Sequence, residues 1–118
     1  MPITDAALLR RAADLIEKQS NWTQHFTARG PIIVAGRQTD PGKDACCLAT
    51  DKHAVQFSAL GAIFRLGRKE KLSNAEIYGL EQRVCEILGV RRLADWNAQV
   101  GHAAVLAGLR HTAAAIEG

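Results

Sequence analysis

Runs of apolar residues recur every three or four positions along much of the chain, a spacing that is typical of amphipathic helices. The first run follows Thr4, a residue type that caps helices because its hydroxyl can accept a hydrogen bond from a free backbone N–H. The apolar stripe of this run consists of Leu8, Leu9, Ala12, Leu15 and Ile16. The pattern therefore predicts a helix from Thr4 to about Gln19.

Further runs predict three helices in the second half of the chain. The segment 73–88 begins with Ser73-Asn74-Ala75-Glu76, a capping box, and is followed by Gly89, a residue that often ends a helix. A short helix is predicted over 93–97 and a last one over 102–116. Each of these helices has one apolar side, which another part of the fold has to cover.

The most apolar helix is predicted over about 51–66. Phe57, Leu60 and Phe64 extend its apolar surface well round the cylinder. A helix that is apolar on most sides is usually covered by other helices. We therefore expect this helix at the centre of the fold.

Residues 22–50 show the signals of strands and turns instead. The segment 22–27 and the run Ile32-Ile33-Val34 are rich in β-branched and aromatic side chains, whereas Arg29-Gly30-Pro31 is typical of a turn. The apolar stretch 45–49 fits either a third strand or the lead-in to the next helix. A small antiparallel β element is therefore predicted near 22–50.

These elements predict an α+β fold that is mostly helical, with four to five helices packed round the central helix. A chain of 118 residues suits a single domain over 1–118. Apolar residues make up 47% of the chain, which excludes wholesale disorder. Twenty of them are alanine and only six are aromatic, so the helices have to approach one another closely.

Charge and hydropathy narrow the function classes. No stretch reaches the roughly 20 apolar residues of a membrane span, and the first residues lack the apolar run of a secretory signal. We therefore expect a cytoplasmic protein that has no membrane contact. The formal net charge is +3, and acids interrupt the short clusters of cations, which favours a solvated surface over a nucleic-acid-binding face.

The three cysteines are Cys46, Cys47 and Cys85. An odd number of cysteines, without a secretory signal, fits reduced thiols rather than a disulfide framework. Adjacent cysteines lack the spacing with which a local pair holds zinc. No metal and no cofactor is therefore predicted.

Two short motifs carry a resemblance to a known family. The segment 54–63 includes Phe57-Ser58-Ala59-Leu60-Gly61-Ala62, and Asp95-Trp96-Asn97-Ala98 precedes the last helix. They resemble the aromatic-Cys-x-x-Gly-Ala-Leu and Trp-Asn-Asp motifs of a family of short uncharacterised bacterial and phage proteins, a domain of unknown function. Ser58 stands in the place of the cysteine and Ala98 in that of the acid. The resemblance implies a shared fold and an origin in a phage or mobile element, and it assigns no activity.

One ligand site is predicted, at a pocket bordered by Trp22, Cys46 and Trp96. An indole can cover an apolar pocket, and the amide of Asn97 offers hydrogen-bond donors and an acceptor to a ligand. The alternative is structural, with Trp96 in the core and Asn97 capping a helix or binding the backbone of a loop. The candidate ligand-binding residues are Trp22, Cys46, Cys47, His53, Trp96 and Asn97.

A thiol nucleophile is the catalytic alternative. Cys46 or Cys47, near a predicted helix start, could have a lowered pKa and act with a histidine as base. The candidate bases are His25, His53, His102 and His111. The opposite interpretation is that both cysteines are small buried apolar residues, the usual state of a free cysteine.

The sequence favours a non-enzymatic accessory or interaction protein over an enzyme. Its alanine-rich helix faces favour self-association or a protein partner, because apolar surface left exposed on a small domain often marks an interface. A small ligand is the other partner considered. Two alternatives remain: a small thiol-dependent enzyme that uses Cys46 or Cys47, and a weak nucleic-acid-binding protein in which 73–88, Gly89 and Arg91-Arg92 form a helix-turn-helix.

Overall fold

A computed structural model describes residues 3–24, 28–31, 33–34, 37–38, 44–46, 49 and 54–117. Within these residues the chain forms five α-helices and five short strands. The helices are α1 (Asp5–Leu15), α2 (Ala59–Lys69), α3 (Asn74–Leu88), α4 (Leu93–Gln99) and α5 (His102–Glu117). The strands are β1 (Ala28–Pro31), β2 (Ile33–Val34), β3 (Arg37–Gln38), β4 (Asp44–Cys46) and β5 (Gln56–Phe57). The described chain is mostly helical with a small β part, as the sequence predicts.

The helix starts predicted at Thr4 and Ser73 are confirmed. The Thr4 hydroxyl accepts a hydrogen bond from the backbone N–H three residues later, over 3.1 Å. Ser73 and Glu76 form the complete capping box, with donor–acceptor distances of 3.0 and 3.1 Å. The Ser73 backbone N–H and hydroxyl lower the pKa of Glu76, because they stabilise its ionised carboxylate. At its other end α1 is shorter than predicted, since it ends at Leu15 and a 3₁₀ turn follows at Gln19–Asn21.

The helix predicted over 51–66 begins later than expected. Ser58 is in an extended conformation and caps α2, its hydroxyl accepting a hydrogen bond from the Gly61 N–H over 3.1 Å. Immediately before it, β5 pairs with β1, and this places Phe57 opposite Ala28. The predicted start is wrong because the apolar spacing of this segment fits a strand as well as a helix. Pairing with a strand that is distant in sequence decides between the two.

β1 is the middle strand of a three-stranded antiparallel sheet in the order β4-β1-β5. Arg29 lies opposite Cys46 on one side and opposite Gln56 on the other. The expectation of a turn at Arg29-Gly30-Pro31 is therefore wrong. Both neighbouring strands supply backbone partners to this tripeptide, and its local composition carries no signal of them.

A second antiparallel pair joins β2 to β3, with Ile33 opposite Gln38. The antiparallel β element predicted near 22–50 is thus present, and β5 adds a strand beyond that range. The stretch 45–49 contributes to β4, as one of its two interpretations had it. The sequence Thr39-Asp40-Pro41-Gly42 also predicts a turn, and this segment lies outside the described residues.

Both α1 and α2 contribute to the helical core. The most extensive helix contact joins α1 to α5, and α1 also packs against α2. α2 in turn contacts α3 and α4, while its Phe64 is only partly buried. The largest fully buried apolar side chains are Leu8, Leu9, Ile16, Ile63, Ile77, Val84, Leu93, Val105 and Leu109. The central position expected for the 51–66 helix is therefore not confirmed.

α3 ends in a Schellman motif, the predicted stop at Gly89. The Gly89 N–H donates to the Glu86 carbonyl over 3.3 Å, and the Val90 N–H donates to the Cys85 carbonyl over 2.9 Å. Gly89 has a φ of 72°, in the left-handed region, where glycine is not penalised because it lacks a Cβ. The two bonds satisfy carbonyl groups that the end of a helix leaves without intrahelical partners.

α2 ends in the same motif with lysine in the place of glycine. The Lys71 N–H donates to the Arg68 carbonyl over 3.0 Å, and the Leu72 N–H donates to the Gly67 carbonyl over 2.9 Å. Lys71 has a φ of 64°, and it is the one described non-glycine residue with a positive φ. A residue with a Cβ is strained there by about 1–2 kcal/mol.

Replacing Lys71 with glycine should therefore raise the free energy of unfolding. Relief of the strain exceeds the added entropy of glycine in the unfolded chain, and the net gain is about 0.5–1 kcal/mol. The matched change Gly89→Ala should lower stability by about 1 kcal/mol, since it creates the same strain in α3. Urea denaturation followed by circular dichroism measures both.

The change Lys71→Ala is the control, because it removes the lysine charge and keeps the Cβ. It should leave the unfolding free energy nearly unchanged. A loss of stability in Lys71→Gly would contradict a left-handed conformation at this residue.

Candidate functional site

The amide of Asn97, in α4, uses all of its hydrogen-bonding capacity within the protein. Its Oδ1 accepts from the Trp22 indole Nε1–H and from the Ala59 backbone N–H, each over 2.9 Å. Its Nδ2 donates to the carbonyl groups of Thr23 and Gln24 over 3.0 and 2.9 Å. Two donated and two accepted bonds are what one side-chain amide can make, so no group of Asn97 is left over for a ligand. We call this arrangement the Asn97 node.

The Asn97 node caps α2 from another helix. Ala59 is the first residue of α2, and its N–H has no intrahelical partner. Ser58 satisfies the N–H of Gly61, and Asn97 satisfies that of Ala59. The start of α2 is therefore fixed by one local side chain and by one side chain that lies 38 residues further along the chain.

Trp22 joins the node to the sheet and to α5. The Trp22 side chain is partly buried, and its ring centroid lies 5.4 Å from that of His102. The backbone of Trp22 forms an isolated parallel bridge with Phe57, and the Thr23 N–H donates to the Phe57 carbonyl over 3.1 Å. Gln24 adds a side-chain bond to the Ala98 carbonyl over 2.9 Å. These contacts hold residues 22–24 against β5 on one side and α4 on the other.

Trp96 lies against α5, away from the bonds of the neighbouring Asn97. A Cβ placed on Gly108 would come within 2.6 and 2.8 Å of the Cζ2 and Cη2 atoms of the Trp96 ring. Leu88 is the next neighbour of the same position, at 3.5 Å. The glycine at this position of α5 therefore provides the space into which the indole fits.

The structure brings together two of the six predicted ligand residues, Trp22 and Asn97, through a direct hydrogen bond. Cys46 stands in β4 as the backbone partner of Arg29. Cys47 and His53 lie outside the described residues. A ligand site formed by all six stays a prediction, whereas the bonds of Asn97 are those that its structural interpretation describes: a helix cap and a loop contact.

The third cysteine, Cys85 in α3, is a buried free thiol and is 7% exposed. Burial raises the pKa of the Cys85 thiol, the negative charge of Glu81 raises it further, and the backbone N–H of Leu93 opposes part of this shift. A buried thiol with a raised pKa is a poor nucleophile at neutral pH.

Of the four candidate bases, two lie among the described residues. His102 contacts the Ile16 carbonyl, and His111 is exposed on α5. His25 and His53 lie outside the described residues.

The described residues also bear on three other classes of site: a metal site, a membrane span and a nucleic-acid interface. Among these residues, no group of three or more metal-ligating side chains converges, and no helix is both long and apolar enough to cross a bilayer. The two helices of the predicted helix-turn-helix are α3 and α4. Leu93 and Asn97 of α4 are buried, and Asn97 is committed to the node. The residues of α4 available to read a base are correspondingly few.

Sequence reasoning did not find the partners of Asn97. Three of them are backbone groups, of Thr23, Gln24 and Ala59, and a backbone group carries no residue-specific signal. It also treated Ser58 as a helix-interior residue, although serine directly before an apolar run is itself a cap signal. That signal, applied at Ser58 as it was at Ser73, would have located the start of α2.

Comparison with protein families gives one match. The model of a family described as "Family of unknown function (DUF6197)" covers residues 1–115. This agrees with the predicted membership of a domain of unknown function, while the match does not speak to the bacterial or phage origin or to the two motifs. Comparisons with curated proteins and with solved structures gave no match.

The Asn97 node should be essential for folding. Asn97→Ala leaves two carbonyl groups, one N–H and one indole N–H without their partner, and the expected loss of unfolding free energy is about 3–5 kcal/mol. Trp22→Phe removes one of the four bonds and leaves Asn97 Oδ1 paired with Ala59, so its expected loss is about 1 kcal/mol from the hydrogen bond. Thermal or urea denaturation measures both.

Asn97→Asp gives a second, pH-dependent readout of the same node. The carboxylate would be buried against two carbonyl groups, so its pKa in the folded state should lie above the value of about 3.9 in the unfolded state. The variant should therefore come closest to wild-type stability near pH 4 and fall further behind as the pH rises to 7. The exposed residue Asn74, changed to Asp, is the control and should show no such trend. Normal folding of all Asn97 variants would instead favour a ligand-binding role.

Cys85 should resist alkylation in the native protein. Because burial restricts access and raises its pKa, we expect N-ethylmaleimide to label it about 100-fold more slowly in buffer at pH 7.5 than in urea. Peptide mass spectrometry distinguishes Cys85 from Cys46 and Cys47 in the same experiment. Equal labelling of Cys85 in both solvents would contradict the packing of α3. Fast labelling of Cys46 or Cys47 at lower pH would favour the thiol-dependent alternative.

Proposed function

The chain belongs to DUF6197, a family of unknown function, and from this premise we propose that it is a non-enzymatic interaction protein that self-associates through the outer face of α5. The observation that carries the proposal is the composition of this face. Its exposed alanines are Ala103, Ala104, Ala107, Ala114 and Ala115. We call these five residues the α5 outer face.

The position of the α5 outer face supports an interface. The opposite side of α5 packs into the core through Val105, Leu109 and Ala113. A helix of a small domain usually presents charged or polar residues to water on its other side. Five of the exposed positions of α5 are alanines, while Arg110, His111 and Glu117 are the exposed polar ones. The methyl groups of the five alanines would lose contact with water in an assembly.

A second copy of the chain fits this face well. Small side chains allow two helix axes to approach to about 8 Å, and a close approach requires small residues on both helices. A second α5 provides such a face over a length of about 24 Å. A twofold pairing of this kind uses the same patch on both copies.

The charges at the edge of the face are compatible with this pairing. Arg110 pairs with Asp14 and Glu17 of α1 over 3.4 and 3.0 Å, and Arg10 of α1 pairs with Glu117. These ion pairs are exposed and add little stability. They do, however, give each nearby charge a partner within its own chain, so an approaching copy meets no uncompensated charge there.

Other parts of the functional hypothesis rest on the sequence. A cytoplasmic location, an origin in a phage or mobile element, and a ligand site at the six predicted residues belong to it. In such a site Asn97 would position Trp22 rather than bind the ligand through its own amide, whose hydrogen bonds are all made within the protein. Thiol chemistry at Cys46 or Cys47 and weak nucleic-acid binding remain the alternatives. The described residues offer no specific observation in favour of either alternative.

Self-association is tested by size-exclusion chromatography with light scattering over about 10–200 µM protein. We expect the mean mass to rise towards that of a dimer across this range. Ala107→Glu should weaken association by about tenfold or more, because it places two like charges in the contact while glutamate keeps the helix intact. Gln82→Glu, which adds the same charge on an exposed position of α3, should leave association unchanged. A strict monomer at every concentration would refute the proposal.

A further inference from the structure

A pair of aromatic rings between α2 and α3 is a second exposed feature of the protein. It differs in composition from the α5 outer face, which consists of alanines. Tyr78 of α3 is 54% exposed, and it is one of two exposed large apolar side chains among the described residues. Its ring lies edge-on to the ring of Phe64 in α2, with centroids 5.2 Å apart and planes at 74°. The pair is partly open to water, since Phe64 is itself only partly buried.

The ring pair stands on a closely packed helix contact. A Cβ placed on Gly67 of α2 would lie 2.8 Å from Cγ1 of Ile77 in α3, so the Ile77 side chain packs directly against the α2 backbone at this glycine. Ile77 directly precedes Tyr78, and Phe64 is one turn before Gly67. The spacing of the two rings is therefore set by the fold, and a partner would not have to order them first.

The carboxylate of Glu81 lies next to the ring pair and has no cationic partner among the described residues. Glu81 is three residues after Tyr78 on α3, and residues at this spacing are neighbours on a helix surface. The other positions three or four residues from Glu81 are Ile77, Val84 and Cys85, none of which is a cation. Within the described part of the chain, no ion pair or hydrogen bond to the Glu81 carboxylate is formed.

The environment of Glu81 agrees with this lack of a partner. Its side chain is partly buried, and burial raises the pKa of its carboxyl group. A carboxylate that has lost part of its hydration and gained no cation is disfavoured in the charged form. A cation of another molecule would stabilise the ionised form of the Glu81 carboxylate.

The two arginines of α2 closest to Phe64 in sequence, Arg65 and Arg68, make contacts elsewhere. Arg65 donates to the Ala49 carbonyl over 3.1 Å, and its guanidinium carbon lies 5.6 Å from the centroid of the Phe57 ring. Arg68 is one turn after Phe64, and its Nη1 donates to the Leu72 carbonyl over 3.2 Å, at the end of α2. It therefore interacts with the helix terminus rather than with Glu81. As far as the described residues show, the rings and the carboxylate are therefore open to a group from another molecule.

We propose that Phe64, Tyr78 and Glu81 form a docking surface for an arginine side chain of a partner protein. The planar guanidinium can lie over an aromatic ring while its N–H groups donate to a carboxylate, and it is more weakly hydrated than an ammonium group. Lysine meets the charge requirement but lacks the planar fork. This surface goes beyond the self-association proposed for α5, and it uses different residues.

Tyr78 is the single tyrosine of the chain and therefore reports on this surface alone. In protein labelled with ¹³C-tyrosine, we expect the ring resonances to shift saturably on titration with the peptide acetyl-Gly-Arg-Gly-amide. One arginine should bind in the millimolar range. The same peptide with citrulline, which is planar but uncharged, should bind about tenfold more weakly or not at all.

Glu81→Gln should weaken binding of the arginine peptide by about tenfold, because it removes the charge and keeps the shape of the side chain. Glu86→Gln, on an exposed position of the same helix, is the matched control and should bind as the wild type does. Thermal denaturation of both variants verifies that they are folded. Since glutamine removes a partly buried charge, folding of Glu81→Gln is expected.

Four results would overturn the proposal. The first three are the absence of a saturable shift, equal binding of the arginine and citrulline peptides, and unchanged binding in Glu81→Gln. The fourth is that acetyl-Gly-Lys-Gly-amide, titrated in the same way, binds as tightly as the arginine peptide or more tightly. A shift of the Tyr78 signal with protein concentration alone would assign the surface to a second copy instead. The experiment is repeated in Ala107→Glu, where binding should persist, so that a failure of self-association through α5 and a failure of arginine binding are told apart.

Discussion

The fold depends on one buried side-chain amide. Asn97 joins its own helix, α4, to two other parts of the chain. It binds the carbonyl groups of Thr23 and Gln24 together with the indole of Trp22, and it binds the first N–H of α2. In a small domain whose apolar residues are largely alanine, each helix contact buries little area, so the positions of the helices are weakly determined by the hydrophobic effect alone. The directional hydrogen bonds of Asn97 specify a single arrangement of α2, α4 and the segment after α1.

The helix ends could be predicted from the sequence because the residues that determine them lie within a few positions of each end. A hydroxyl at Thr4, a capping box at Ser73–Glu76 and a glycine at 89 each act on backbone groups within a few residues. The start of α2 and the course of β1 are determined by pairing between segments about 28 residues apart in sequence. Apolar spacing cannot reveal such a pairing, and for this reason the 51–66 helix and the turn at residues 29–31 were misplaced.

From the sequence, residues of the candidate site could be selected only by their residue type. Tryptophan and asparagine stand out in a sequence that is poor in aromatic residues, so both Trp22 and Asn97 could be selected, but their direct hydrogen bond joins residues 75 positions apart. Whether an amide serves a ligand or the backbone depends on where the neighbouring carbonyl groups point, and only the fold determines that. The isolation of Glu81 from cations, in contrast, can be read from the sequence once the register of α3 is known, because it concerns residues three and four positions away on one helix.

The contact between Trp96 and Gly108 links the node to the longest helix. Because the indole occupies the space that a side chain at 108 would need, the size of one residue limits the size of the other. Trp96 directly precedes Asn97, so any displacement of the ring would pull on the amide that joins the other segments. Relatives with a bulkier residue at the position of Gly108 therefore have to carry a smaller ring at that of Trp96, and the two positions should change together as the family diverges.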